Sequence, residues 1–224
     1  MNRNEPVDLQ QLIPDVLGAK GLVGVPVPIA VDALRKTAID FCTQSTIWEY
    51  QDAFQTQYNV ADYPLFLPEG SRLASMKWVA VDGQVLRANT TGFAPQQGWL
   101  RSFDPNTFYS WQGNGFTYTM DGRDKFWITP VPLQSNCCQL VTYCVALKPT
   151  QDACVIPYIL FEDWNDALTS GTAYRLFSMP KQEWSNASLA MLNQKEYSRW
   201  IARARLTKAQ NYTQSAMVAT GSYF

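Results

Sequence analysis

The hydrophobic period of this chain changes twice, and that double switch limits the folds open to it more than any single motif does. From about Ile29 to Ser45, Leu34, Ala38, Phe41 and Ser45 recur at three-to-four spacing with Cys42 beside them, while Arg35, Lys36 and Asp40 fall elsewhere. This is the pattern of an amphipathic helix. From Ile47 to Thr150 the pattern is that of strands and turns, and this stretch holds most of the chain's aromatic residues. Asp82-Gly83 joins Ser75–Val81 to Gln84–Arg87, and Asp121-Gly122 joins Gly115–Met120 to Lys125–Thr129. Each predicts a hairpin, because Asp-Gly supplies the positive φ angles that a two-residue turn demands. Cys137 to Leu147 alternates with two largely apolar faces, as a central strand does. Arg87 to Gly113 reads as a long loop crowded with Trp99, Phe103, Phe108, Tyr109 and Trp111.

After Pro149 the helical period returns. Pro157 suits a first helical turn, and Trp164, Leu168, Gly171 and Leu176 keep one face until Pro180. A last helix runs from Ser185 or Asn186, either of which can cap it, to about Ala209. Its apolar face is Leu189, Leu192 or Asn193, Glu196-Tyr197, Trp200 and Ala204. One helix before a β-rich stretch and two after it predict an α+β fold, a small helical bundle (29–46 plus 155–209) interrupted by an all-β, barrel- or sandwich-like domain (47–154). Residues 1–28, punctuated by Pro14, Gly18, Gly21, Gly24, Pro26 and Pro28, read as an extended arm. Residues 210–224 have no period and almost no charge, which reads as a tail ordered only by a partner.

Composition narrows the function classes. The chain is 46% hydrophobic, which excludes a disordered protein, but only 17% charged, so much of its surface is neutral, amide-rich and suited to permanent contact with other subunits. With 18 Lys+Arg against 19 Asp+Glu, no global field draws it to nucleic acid or an anionic membrane. The absence of histidine removes Ser-His-Asp and Cys-His catalysis and His-containing metal sites, and no phosphate-cradling or nucleophile-elbow motif is present. Neither a catalytic residue nor a metal or cofactor is therefore expected. The five cysteines, Cys42, Cys137, Cys138, Cys144 and Cys154, form no C-x-x-C pair and read as reduced and mostly buried. No signal peptide or membrane span is expected.

Charge in the last third is segregated. Asp152, Glu162, Asp163, Asp166 and Glu183 are followed by a basic run in which Lys195, Arg199 and Arg203 recur every four residues. On a helix these three form one stripe, able to track a phosphate backbone or to meet the acidic helix of another subunit. The carboxylate pairs Asp121 with Asp124 and Glu162-Asp163 with Asp166 are candidates for a general acid–base pair or a cation site, although no third residue type converges on either. The loop aromatics Trp99 to Trp111 leave a carbohydrate-binding module open as an alternative.

Two stretches resemble head-to-tail adaptor (connector) proteins of tailed, podovirus-like bacteriophages, of the tail tubular protein A-like kind. The first is Ile13-Pro14-Asp15-Val16-Leu17, Pro28, Ala30, Asp32-Ala33-Leu34-Arg35, Ala38-Ile39-Asp40-Phe41-Cys42 and Trp48. The second is Gly171-Thr172-Ala173-Tyr174-Arg175-Leu176, Pro180, the turn Trp184-Ser185-Asn186, Leu189-Ala190 and Tyr197. The resemblance implies a non-enzymatic virion protein, assembled in the host cytoplasm into a ring, usually of twelve copies. Such a ring binds the portal protein on one side and a nozzle or tail-tube protein on the other, encloses the genomic DNA, and touches no membrane. It further implies that a C-terminal extension reaches the portal. By position, this is the tail with Tyr212, Met217, Val218, Tyr223 and Phe224. A stopper or tail-tube component is the neighbouring alternative.

Overall fold

The structure is a computed structural model and describes residues 5–88, 117–129, 132 and 138–210. It is a mixed α+β fold whose described residues divide into two units, one from Met1–Trp48 and Lys148–Phe224, the other from Glu49–Leu147.

The first unit is built on three helices, α2 (Val27–Ser45), α4 (Asn165–Phe177) and α5 (Ala187–Ala209). Pro28 lies in the first turn of α2, where its missing N–H costs nothing, and Thr46 ends the helix in a left-handed conformation (φ 52°). Helix α4 packs against both α2 and α5 and places Gly171 where they converge. A Cβ at Gly171 would lie 2.5 Å from Thr37 Cγ2 and 2.7 Å from Tyr197 Cε2, closer than atoms can approach. Hydrogen bonds and rings then tie the helices. The buried Tyr197 hydroxyl donates to Asp40 Oδ2 at 3.1 Å, and Arg175 Nη2 lies 3.5 Å from the same oxygen. Burial, and after it the Asp40 carboxylate, push the Tyr197 pKa up, so the hydroxyl stays a donor at any ordinary pH. Phe41 meets Trp164 at 5.6 Å and Tyr197 at 6.3 Å between ring centroids.

Two sequence expectations are corrected in this unit. The stretch 1–28 is not an irregular arm over its described part. Strand β1 (Pro6–Asp8) pairs antiparallel with β10 (Val155–Pro157), a 3-10 turn follows (Leu9–Leu12), and α1 spans Ile13–Ala19. Pro14 lies in the first turn of α1 and so starts the helix, while Leu9, Leu12, Ile13 and Val16 are buried. The partner strand is distant in sequence, which is why local punctuation misleads. The helix expected from Pro157 to Pro180 is two, α3 (Tyr158–Glu162) and α4. The break at Trp164 (φ −127°) accompanies the burial of its indole, edge-on to Trp200 at 6.4 Å.

The second unit holds two four-stranded sheets. One has the order β2-β9-β4-β5, with β2 Glu49–Gln55, β4 Ser71–Val81, β5 Gln84–Val85 and β9 Leu140–Pro149, the last two residues of β9 belonging to the first unit. The other has the order β3-β8-β7-β6, with β3 Asp62–Pro64, β6 Arg87–Ala88, β7 Thr117–Asp121 and β8 Lys125–Thr129. Val81 pairs with Gln84 across Asp82-Gly83, whose φ angles are 47° and 81°. In the second hairpin Asp121 pairs with Lys125, so the loop is Gly122 to Asp124 rather than Asp121-Gly122. The two sheets meet through Phe54 and Tyr143 from one and Tyr63 and Phe126 from the other, with centroids 4.7 Å apart for Phe54–Tyr63 and 6.0 Å for Phe126–Tyr143.

The central strand starts at Leu140 rather than Cys137, because Cys138 takes a left-handed turn (φ 68°) and is exposed. Of the described cysteines, Cys42 and Cys144 are buried and Cys138 and Cys154 exposed, so among the described residues the thiols divide evenly between core and surface. Residues 148–154, grouped with the β-domain in the sequence reading, lie in the helical unit, where Arg35 Nε donates to Ala153 O at 2.8 Å and Leu9 N to Cys154 O at 3.0 Å. Among the described residues no helix is long and apolar enough to cross a membrane.

Gly171→Ala gains helix propensity of about 1 kcal/mol but drives a methyl group into Thr37 and Tyr197. The expected outcome in urea unfolding is a net loss of about 1–2 kcal/mol. An unchanged midpoint would mean that the three helices have slack at this point.

Candidate interaction surfaces

Helix α5 starts where Asn186 caps it, its side-chain oxygen accepting from Ser188 N and Leu189 N at 3.1 Å each. The turn before it is fixed by Asn186 N donating to Phe177 O at 3.0 Å and Ser185 N to Gln182 O at 3.0 Å, with Trp184 half-buried. The Trp184-Ser185-Asn186 turn thus links α4 to α5. The buried row of α5 is Ala190, Asn193, Tyr197, Ile201 and Ala204. Leu189, expected on the apolar face, is 38% exposed, and of the alternatives Leu192 and Asn193 it is Asn193 that is buried while Leu192 is 61% exposed. The helix carries apolar residues on several sides, and the seating of Tyr197 on Gly171 decides which side turns inward.

With that rotation fixed, Lys195, Arg199 and Arg203 all point outward, nearly opposite the buried row. The guanidinium of Arg203 lies 5.1 Å over the Trp200 ring. Among the described residues none of the three forms an ion pair. Leu192 and Leu206, 61% and 54% exposed, bracket the stripe one turn before and one turn after it. The bases beside it are otherwise engaged, since Arg205 Nε donates to Gln44 O at 2.9 Å and Lys208 Nζ to Thr46 O at 2.7 Å.

A second charged face was only half legible in the sequence, through Glu162, Asp163 and Asp166. Tyr158 N donates to Glu5 O at 2.8 Å, and the hydrogen bond to Glu162 first, with the charges of Glu5 and Asp163 after it, pushes the Tyr158 hydroxyl's pKa up. Asn165 Nδ2 donates to Asp15 Oδ2 at 2.9 Å, which brings α1 to the start of α4. Glu5, Asp8, Asp15, Glu162, Asp163 and Asp166 are all exposed, in or next to β1, α1, α3 and the first turn of α4. Among the described residues none of the six is in an ion pair. The signal that could have revealed this face is the apolar spacing Leu9, Leu12, Ile13, Val16 around Pro14, which marks a folded segment.

The remaining candidates bring less together. Asp121 is held by Lys125 Nζ at 3.0 Å and Trp127 Nε1 at 3.1 Å, which lower its pKa and commit it to structure. An open hollow of about 310 Å³ between α2 and α4 contains Asp32, Lys36 and Arg175, whose charges are satisfied by the Lys36–Asp32 pair at 2.8 Å and the Arg175–Asp40 pair at 3.5 Å. Among the described residues no group of three or more His, Cys, Asp or Glu is placed to hold a metal ion. The loop aromatics Trp99, Phe103, Phe108, Tyr109 and Trp111, together with Cys137 and the tail residues Tyr212, Met217, Val218, Tyr223 and Phe224, lie outside the described residues. No protein-family model matches the chain, and no curated protein matches it.

Helix α1 is tied to α5 by Lys20 Nζ and Glu196 Oε2 at 2.9 Å, and Lys20 lowers the Glu196 pKa from its ordinary 4.5. A carboxylate with a lowered folded-state pKa stabilises the fold above its unfolded pKa and loses that contribution as the pH falls through the folded value. Stability is therefore expected to fall below about pH 4.5, and Glu196→Gln to make that acid limb shallower. Unfolding titrations across the acid range test this, and parallel limbs for the two proteins would contradict it.

Proposed function

We propose that this chain is a structural subunit of a tailed-phage virion, a head-to-tail adaptor that joins a portal to the tail as a ring around the DNA channel, without enzymatic activity. The observation that carries the reading is where the two adaptor-like stretches meet. They are separated in sequence by the whole β-rich middle, yet Asp40 and Phe41 from the first contact Tyr197 from the second, around Gly171. Several of the residues that carry the resemblance, among them Ala30, Leu34, Phe41, Ala173, Leu176 and Tyr197, are thus buried in one helical core.

Two further features support it. The surface is poor in charge overall, and the exposed charges of the helical unit are sorted into patches, as in a subunit that completes itself on neighbours. The uncharged tail after Gln210, with Tyr223 and Phe224, matches by position the portal-climbing extension of such adaptors. On this reading the partners are the portal, a nozzle or tail-tube protein, further copies of the chain and non-specific DNA, and no cofactor is required.

Deleting Gln210 to Phe224 is expected to leave a folded subunit, judged by circular dichroism, that no longer co-sediments with portal particles of the same phage. Retained portal binding by the truncated chain would overturn the role given to the tail.

A further inference from the structure

We infer that the outward face of α5 is the docking site for the acidic face of a second copy of this chain, and that this head-to-tail contact is what links neighbouring subunits. The two surfaces match in sign and kind. One displays Lys195, Arg199 and Arg203 between two leucines that are more than half exposed, Leu192 and Leu206. The other displays exposed acids in or next to β1, α1, α3 and the first turn of α4 and, beside Asp8, the partly exposed Val155, with which Asp8 is paired in the β1–β10 ladder. Apolar side chains next to arginine are the usual make-up of a protein interface.

The charges favour a second copy over other occupants. Among the described residues neither the three bases nor the six acids are in an ion pair, so each face repels a copy of itself and attracts the other. An isologous dimer would set base against base, whereas contact of unlike patches is heterologous and adds copies in one direction. Nucleic acid would satisfy the basic stripe and leave the acidic face, carried by the same unit, repelled by the same phosphate backbone. The inference deepens the adaptor reading and rests on it for one feature alone, the closure of the linked copies into a ring.

The test is a charge swap in the full chain, read by sedimentation velocity over a hundredfold concentration range at low and high ionic strength. Lys195→Glu with Arg199→Glu makes one variant, and Glu162→Lys with Asp163→Lys makes the other. All four side chains are exposed, and circular dichroism controls for folding. The wild-type chain is expected to self-associate, more weakly as salt is raised. Each variant alone should associate about a hundredfold more weakly or worse, because like charges face each other. An equimolar mixture should recover association, since every contact then joins opposite signs. A wild-type chain that stays monomeric, a variant that associates as well as wild type, or a mixture no better than its components would each overturn the inference. So would loss of duplex-DNA binding by the Lys195→Glu, Arg199→Glu variant with self-association intact, which would give the stripe to nucleic acid. None of these results bears on the tail deletion, so the adaptor reading stands or falls separately.

Discussion

The close approach of three helices at Gly171 is the constraint on which the helical unit depends. Thr37 and Tyr197 occupy the space a side chain at 171 would need, so α2 and α5 can both lie against α4 only because nothing projects there. That proximity lets the Tyr197 hydroxyl reach Asp40 and sets Phe41 between Trp164 and Tyr197. An interior ordered this way tolerates little rotation of any one helix, since rotation would pull the tyrosine from its carboxylate and leave a charged group short of a donor.

The rotation of α5 is the link from packing to display. Once Tyr197 faces inward, helical geometry sends Lys195, Arg199 and Arg203 outward. On the proposed reading, a core tyrosine thereby determines which residues a neighbouring subunit meets. The acidic face is fixed by a separate device, the β1–β10 pairing and the Asn165–Asp15 hydrogen bond, which gather acids from both ends of the sequence. On the proposed reading, a subunit with two faces of opposite charge suits assembly by repeated addition, with several modest contacts acting together to hold each copy.

Much of the fold was readable in the sequence wherever the signal was local. The period of α2, the Asn186 cap of α5 and the Asp82-Gly83 turn each rest on residues a few positions apart. What escaped was set by distant partners. The segment around Pro14 looked irregular because its strand pairs with residues 155–157, and the helix after Pro157 broke where Trp164 finds Phe41 and Trp200. The apolar face of α5 agrees with the expectation at Tyr197 and Ala204 and differs at its start, since Leu189 and Leu192 carry a stronger hydrophobic signal than Ala190 and Asn193 on the side that Gly171 selects. For the candidate surfaces, the basic stripe needed only a four-residue repeat, whereas half of the acidic face came from the segment taken as an arm.

The measurement that tests the account most directly is negative-stain imaging with light scattering of the purified chain, alone and mixed with the portal protein of the same phage. The account predicts closed rings, whether free or seated on portals, with the mass of a fixed number of subunits. A monomer that neither self-associates nor binds portals would contradict it, and would return the aromatic residues between 99 and 111, and sugar binding, to first consideration.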